Sequence, residues 1–339
     1  LVWQPENRIY LSGFTGTSGL LVVTMDRAIL VTDFRYMEQA ASQAPGFQIT
    51  RHEAGPIDAV VELLGEIGLS RVGFEASHLT FKEYQDLNQK ASGVELVPVS
   101  GMVERLRACK DEGELARIEE AVTLADRAFT HVFDLIRPGT TEKTLALELE
   151  FFMRREGAEK AAFEFIVASG ARGSLPHGVA TDRRLEAGDM VTLDFGCVLN
   201  GYNSDITRTV VLGEPNSRQQ GIYDLVLKAQ LAGIEAVRAG KKANEVDEAC
   251  RGVIREAGFG DYFGHSTGHG VGLAIHEEPS VSSRNEAVLE PGMVITIEPG
   301  VYLPGWGGVR IEDVVVVTDE GHRVLTGSPK ELMVCGRVR

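Results

Sequence analysis

The feature that most constrains this chain is an internal repeat. Residues 137–157 (RPGTTEKTLALELEFFMRREG) recur, diverged, at 238–258 (RAGKKANEVDEACRGVIREAG), at equal length and each closing on glycine. Downstream, LEAGDMVTLDFG at 185–196 matches LEPGMVITIEPG at 289–300, which sets Asp194 on Glu298. Further on, Asp205 in SDITRTVVL takes the place of Glu312 in RIEDVVVV. The period is too long for a solenoid and only two copies exist, so duplication within one domain follows. Two such halves facing each other bring four carboxylates together about a pseudo-twofold axis.

At 339 residues the chain is too long for one ordinary core, and two domains are expected. Residues 1–108 read as an alternating α/β unit, with β-rich runs at 20–23, 28–31 and 71–74 and helical patterns at 57–67 and 81–91. No catalytic constellation appears there; His52 and His78 lack partners at metal spacing, and solvated or capping roles are expected for both. The second unit, 109–339, opens on Asp111 and Glu114 in a capping arrangement. Leu115, Ile118, Val122, Ala125, Phe129, Val132 and Ile136 then recur every three or four residues, the apolar face of a long helix stopped by Pro138-Gly139. The class expected is α/β (α+β), an α/β domain followed by a duplicated one.

Net charge is −15 with no basic cluster, which argues against nucleic acid and anionic membranes as partners. No apolar run reaches membrane-spanning length and no signal peptide is visible; a natural start upstream of Leu1 stays open. Cys109, Cys197, Cys250 and Cys335 are widely spaced with no CxxC pair, as expected of buried thiols in a reducing, cytoplasmic compartment.

Asp194 and Asp205 flank a turn at Asn200-Gly201, so a hairpin is expected to set them side by side across its ladder. Arg310 and Glu312 alternate with Ile311 and Asp313, as on one face of one strand. Like charges this close raise each other's pKa unless cations intervene, and two divalent metals resolve the conflict. FGHSTGHGVGLAIH at 263–276 adds histidines among glycines that permit close approach. Oxygen ligands with one imidazole suit Mn²⁺, Co²⁺ or Zn²⁺. Two such ions can share and activate a water. Other motifs fail: His276-Glu277 lacks a second histidine at Ser280, and GHSTG at 264–268 lacks the strand before and helix after that a Ser266 nucleophile elbow requires.

LPHG at 175–178, LDFG…NSDITR, HSTGHGVGLAIHE, TIEPGVY and GGVRIED resemble, in order, the signatures of the Xaa-Pro peptidases, prolidase (Xaa-Pro dipeptidase) and aminopeptidase P. The similarity covers essentially all of residues 110–330, and GFTGTSGLLVV resembles the family's N-terminal domain. It implies a creatinase-like N-terminal domain and a duplicated pita-bread catalytic domain with a curved antiparallel sheet. Carried over by residue, it implies metal ligands Asp194, Asp205, His269, Glu298 and Glu312, with Asp205 and Glu312 bridging. It implies Glu298 as general base and His177 and His276 against the scissile carbonyl. His265 would line the proline side, Arg310 would orient an aspartate and meet a product carboxylate, and Tyr302 would donate behind them. The expected activity is cleavage between an N-terminal residue and proline by two divalent ions, in a homodimer. The compact length favours a dipeptidase, with aminopeptidase P, a methionine aminopeptidase-like enzyme and an inactive pita-bread binding protein as alternatives.

Overall fold

The computed structural model describes residues 1–336. They divide into two compact units, Leu1–Arg107 and a second from Ala108 onward.

In the first unit, helices α1 (Pro5–Ser12), α2 (Met37–Gln43), α3 (Pro56–Ile67) and α4 (Phe81–Lys90) accompany five strands, and α5 (Met102–Ala108) reaches the boundary. Strands β1 (Leu20–Val23), β2 (Ala28–Thr32) and β3 (Gln48–Arg51) form one sheet, and β4 (Arg71–Glu75) pairs in parallel with β5 (Glu95–Val99). Apolar alternation buries Leu20, Val22, Ile29 and Val31 against Val60 and Leu64 of α3. One expectation is overturned: His52 is not solvated at its polar atoms, because both ring nitrogens are buried, without a hydrogen-bond partner among the described residues.

The second unit contains α6 (Glu112–Phe133), α7 (Glu142–Arg155), β6 (Lys160–Ala161), β7 (Ile166–Ser169), β8 (Met190–Phe195), β9 (Cys197–Leu199), β10 (Tyr202–Asn203) and β11 (Ile206–Leu212). Its later part holds α8 (Ser217–Ala236), α9 (Ala243–Glu256), β12 (Gly268–Gly270), β13 (Glu277–Val281), β14 (Val294–Ile297) and β15 (Gly300–Leu303). Strands β16 (Gly307–Arg310), β17 (Asp313–Val317), β18 (His322–Val324) and β19 (Val334–Cys335) complete it. The Asp111–Glu114 capping box starts α6, with both reciprocal bonds made. The helix ends at Phe133, before Ile136, whose N–H instead bonds the Phe133 carbonyl. Pro138 disfavours helical backbone just before it, and the last turn tightens into i→i+3 bonds.

Duplication is visible in the hydrogen bonds. Gly139 N–H donates to Leu185 O and Leu185 N–H to Thr140 O; Gly240 and Leu289 N–H donate likewise to Leu289 O and Lys241 O. Each half pairs two helices, α6 with α7 and α8 with α9. Each then lays three antiparallel strands side by side, β7-β8-β11 and β12-β14-β17. The β11 and β17 side chains are wholly buried, and Glu312 N–H bonds Thr207 O where the halves meet.

The hairpin differs from the simple one expected. Asn200 and Gly201 both have positive φ (51° and 79°), as a two-residue type I′ turn demands, but they join β9 to β10, which belong to a separate sheet with β6. The chain crosses between sheets at Gly196, where a Cβ would lie 1.9 Å from Ser204 O. Asp194 therefore faces Thr207 across the β8–β11 ladder, and Asp205 lies two residues further along, a diagonal neighbour.

Candidate metal centre

Every acid of the expected set stands at a strand end or beside one. Asp205 immediately precedes β11 and Glu312 immediately precedes β17, at equivalent places in the two halves. Asp194 lies near the end of β8, and Glu298 follows β14 directly. His269 is central in β12, where Gly268 is required because a Cβ there would meet Thr296 O at 1.9 Å.

Asp205, His269 and Glu312 each offer a ligand atom, all within 4.8 Å of one another. His269 Nε2 is 3.6 Å from Asp205 Oδ2 and 3.4 Å from Glu298 Oε1. Its Nδ1 lies 3.0 Å from Gly270 O, which leaves Nε2 as the free lone pair facing the carboxylates. Asp194 and Glu298 line the same cavity outside that tight trio; Asp194 is engaged by Arg310. The cavity, about 490 Å³, is also lined by His177, His265, His276 and Arg310.

Burial and mutual repulsion push the Asp205 and Glu312 carboxyls well above the ordinary carboxylate range. Burial raises Glu298 to about 8 and raises Asp194 despite its arginine. Burial also lowers His269 to about 4, so its imidazole is neutral, as a ligand must be. Asp205 Oδ1 is buried without any hydrogen-bond partner among the described residues. Such an orphaned anionic oxygen, among three further acids and a neutral imidazole, fits divalent cations. Asp194, Asp205, His269, Glu298 and Glu312 are the residues that would hold them.

Arg310 and Glu312 do not share a strand. β16 ends at Arg310 and β17 begins at Asp313, so the chain passes from the β15–β16 ribbon into the five-stranded sheet between them. Thr207, which the sequence reading overlooked, joins them: its hydroxyl accepts from Arg310 Nε (3.1 Å) and donates to Glu312 Oε2 (2.7 Å). Thr296 was overlooked too; it donates to Glu298 Oε1 and accepts from His269 N–H. The available signal was period two, because Thr207 follows Asp205 by two residues and Thr296 precedes Glu298 by two.

Tyr302 is buried behind the cavity. Its hydroxyl accepts from Arg310 Nη1 and donates to His265 Nε2, both over 2.8 Å, while His265 Nδ1–H bonds Ser266 O. Burial, then the Arg310 charge, lowers His265 to about 4 and fixes this neutral form. Arg310 Nη1 also reaches Pro176 O and so ties down the turn carrying His177. His276 packs edge-on against His269, ring centroids 4.2 Å apart. Two residues beyond Ser266 the chain enters β12, not a helix, so the nucleophile-elbow context is absent.

Residues 116–319 match metallopeptidase family M24, and residues 1–109 match the creatinase/prolidase N-terminal domain. The chain is 42% identical to the Xaa-Pro dipeptidase of Pyrococcus furiosus, covering 97% of this chain and 93% of that one. The solved Xaa-Pro dipeptidase from Bacillus anthracis superposes with a TM-score of 0.96 at 49% identity, covering 98% and 94%. An X-Pro aminopeptidase from Thermotoga maritima superposes at 0.91 with 37% identity, covering 97% and 94%. The duplicated halves and their buried acids thus have a known lineage: the chain belongs to metallopeptidase family M24, behind a creatinase/prolidase N-terminal domain.

Proposed function

We propose that this protein is an Xaa-Pro dipeptidase that hydrolyses the bond between an N-terminal residue and proline. Asp194, Asp205, His269, Glu298 and Glu312 are the residues that would hold two divalent cations, whose chemistry would be activation of the attacking water. The observation that carries this reading is the buried Asp205 Oδ1, without a partner among the described residues, set among acids from both halves in a peptide-sized cavity. Relatives named Xaa-Pro dipeptidase support the dipeptide specificity at 42% and 49% identity. The neighbour named X-Pro aminopeptidase is less similar, at 37%.

When bound, divalent cations supply Lewis acidity and lower the pKa of water in the site. The protein's own residues do the rest. Glu298 takes the proton from the attacking water and returns it to the proline nitrogen as the C–N bond breaks. His177 and His276 border the cavity and stabilise the oxyanion that develops on the scissile carbonyl. Arg310 meets the proline carboxylate, His265 lines the proline side of the cavity, and Tyr302 fixes both. An Xaa-Pro bond has no N–H, and proline restricts the preceding residue, so carboxylate recognition replaces strand-like pairing.

Mn²⁺ or Co²⁺, and then Zn²⁺, suit this donor set. All four cysteines are free, which supports a reducing, cytoplasmic setting, and a homodimer belongs to the same reading. Among the described residues no helix is long and apolar enough to cross a membrane. Assaying Ala-Pro beside Ala-Pro-Ala on metal-loaded protein tests the reading. Faster cleavage of the dipeptide is expected; faster cleavage of the tripeptide makes the protein an aminopeptidase P.

A further inference from the structure

Glu164 lines the same cavity and is exposed within it. The other acids there are engaged: Asp194 by Arg310, Asp205 and Glu298 by His269, and Glu312 by Thr207. Glu164 alone among these acids has no hydrogen-bond or ion-pair partner among the described residues. A carboxylate left free on the wall of a ligand cavity is available to whatever enters it.

Its position says which part of a substrate it meets. Ile166, the first residue of β7, is the register partner of Asp194 and also lines the cavity. Glu164 lies two residues earlier, at most about 7 Å away along the chain. Phe163, Val179 and Ile275 line the same space with apolar surface. Arg310 approaches Asp194 over Thr207 and Thr209 of β11, and β11 flanks β8 on the side opposite β7. Arg310 thus reaches the cavity from the β11 side of β8, and Glu164 from the chain that leads into β7, with Asp194 of β8 between those strands.

We propose that Glu164 is a specificity-determining residue that favours substrates whose N-terminal residue bears a cationic side chain and disfavours acidic ones. This rests on the Xaa-Pro reading: with the proline carboxylate at Arg310, the N-terminal residue extends towards Phe163 and Glu164. A lysine or arginine there lays its methylene stem along Phe163, Val179 and Ile275 and brings its charged head to Glu164. The α-ammonium is common to all substrates, so a carboxylate serving it cannot discriminate between them. A free acid on the exposed wall suits the far end of a long side chain.

The test compares kcat/KM for Arg-Pro, Ala-Pro and Glu-Pro with the Mn²⁺-loaded wild type, Glu164→Gln and Glu164→Lys. Because each readout is a ratio of substrates on one preparation, partial misfolding cancels. The wild type is expected to prefer Arg-Pro to Glu-Pro by at least about tenfold, since both attraction and repulsion contribute. Glu164→Gln is expected to lower the Arg-Pro to Ala-Pro ratio about fivefold, mostly through KM, the size of a partly solvated ion pair. Glu164→Lys reverses the order of Arg-Pro and Glu-Pro. Equal losses on Arg-Pro and Ala-Pro overturn the proposal, because they mean that Glu164 serves the α-ammonium or the fold; an unmoved ratio overturns it too. Either result with Ala-Pro still cleaved leaves the peptidase reading intact. A wild type that cleaves none of the three dipeptides sinks that reading, and this proposal with it.

Discussion

Arg310 holds Asp194: Nη2 donates to Oδ2 over 2.6 Å, with the arginine buried. The same guanidinium bonds Tyr302 Oη, Thr207 Oγ1 and Pro176 O, so it orients an acid of the metal centre, the His265 chain and the His177 turn together. A planar fork with five donors does this, and an ammonium cannot. Arg310→Lys keeps the charge and loses that geometry. The expected result is a fall in kcat/KM on Ala-Pro of about 10²-fold, with the fold retained by circular dichroism. A loss below about threefold contradicts the orienting role.

The metal-free protein should lose stability as pH rises. Burial lifts Glu298 to about 8, and Asp205 and Glu312 also lie well above the usual carboxylate range. Their folded-state pKa values exceed the unfolded ones, so the folded state holds protons that the unfolded chain releases. The stabilisation is fully present below the unfolded carboxylate pKa and disappears as pH climbs towards 8. In excess chelator, Tm is expected to fall as pH rises from 7 to 8, where His265 and His269, lowered to about 4, are neutral in both states and do not oppose the acids. Mn²⁺ should raise Tm more at pH 8 than at pH 5, and Glu298→Gln should flatten the metal-free slope. A metal-free Tm that rises over this range contradicts the assignment.

Arg208 is a structural counterpart on the adjoining position of β11. Fully buried, it bonds Asp313 Oδ1 at 2.8 Å and the carbonyls of Glu312, Ser328 and Pro329. Asp313 is also met by Lys330 and Gln230, so removing Arg208 leaves the acid partly paired and the carbonyls without their donor. Arg208→Met is expected to cost about 3 kcal/mol in urea unfolding, the scale of a broken buried ion pair. A change under about 1 kcal/mol contradicts that role.

The repeat makes much of this site legible in the sequence. Residues that align between the halves, Asp194 with Glu298 and Asp205 with Glu312, occupy matching places at the ends of β8 and β14 and before β11 and β17. The links between them were not legible. Thr207 sits in a Thr- and Val-rich run that any buried strand displays, and its role depends on how β11 meets the Arg310–Glu312 junction. The break between Arg310 and Glu312 was hidden for a similar reason: alternation continues through it while the chain changes sheets. The N-terminal strands were readable from local pattern, but the burial of both His52 ring nitrogens is a tertiary outcome that local pattern does not carry.

Ser266 provides a control on the type of chemistry. It precedes β12 with no helix after it, and its carbonyl receives the His265 Nδ1–H. Ser266→Ala is expected to keep most of the Ala-Pro activity, within about fivefold, while a chelator removes it. Loss of activity in Ser266→Ala with resistance to chelator would show a serine nucleophile instead.

The central claim is that carboxylates from both halves, with His269, form a two-ion hydrolytic centre. Its most direct test is a titration of metal-free protein with Mn²⁺, following bound ions by calorimetry and Ala-Pro hydrolysis in parallel. No hydrolysis without metal is expected, with two ions bound per chain at saturation and both activity and binding crippled in Asp205→Asn. Full Ala-Pro hydrolysis by rigorously metal-free protein, or saturation without the involvement of Asp205, contradicts the account.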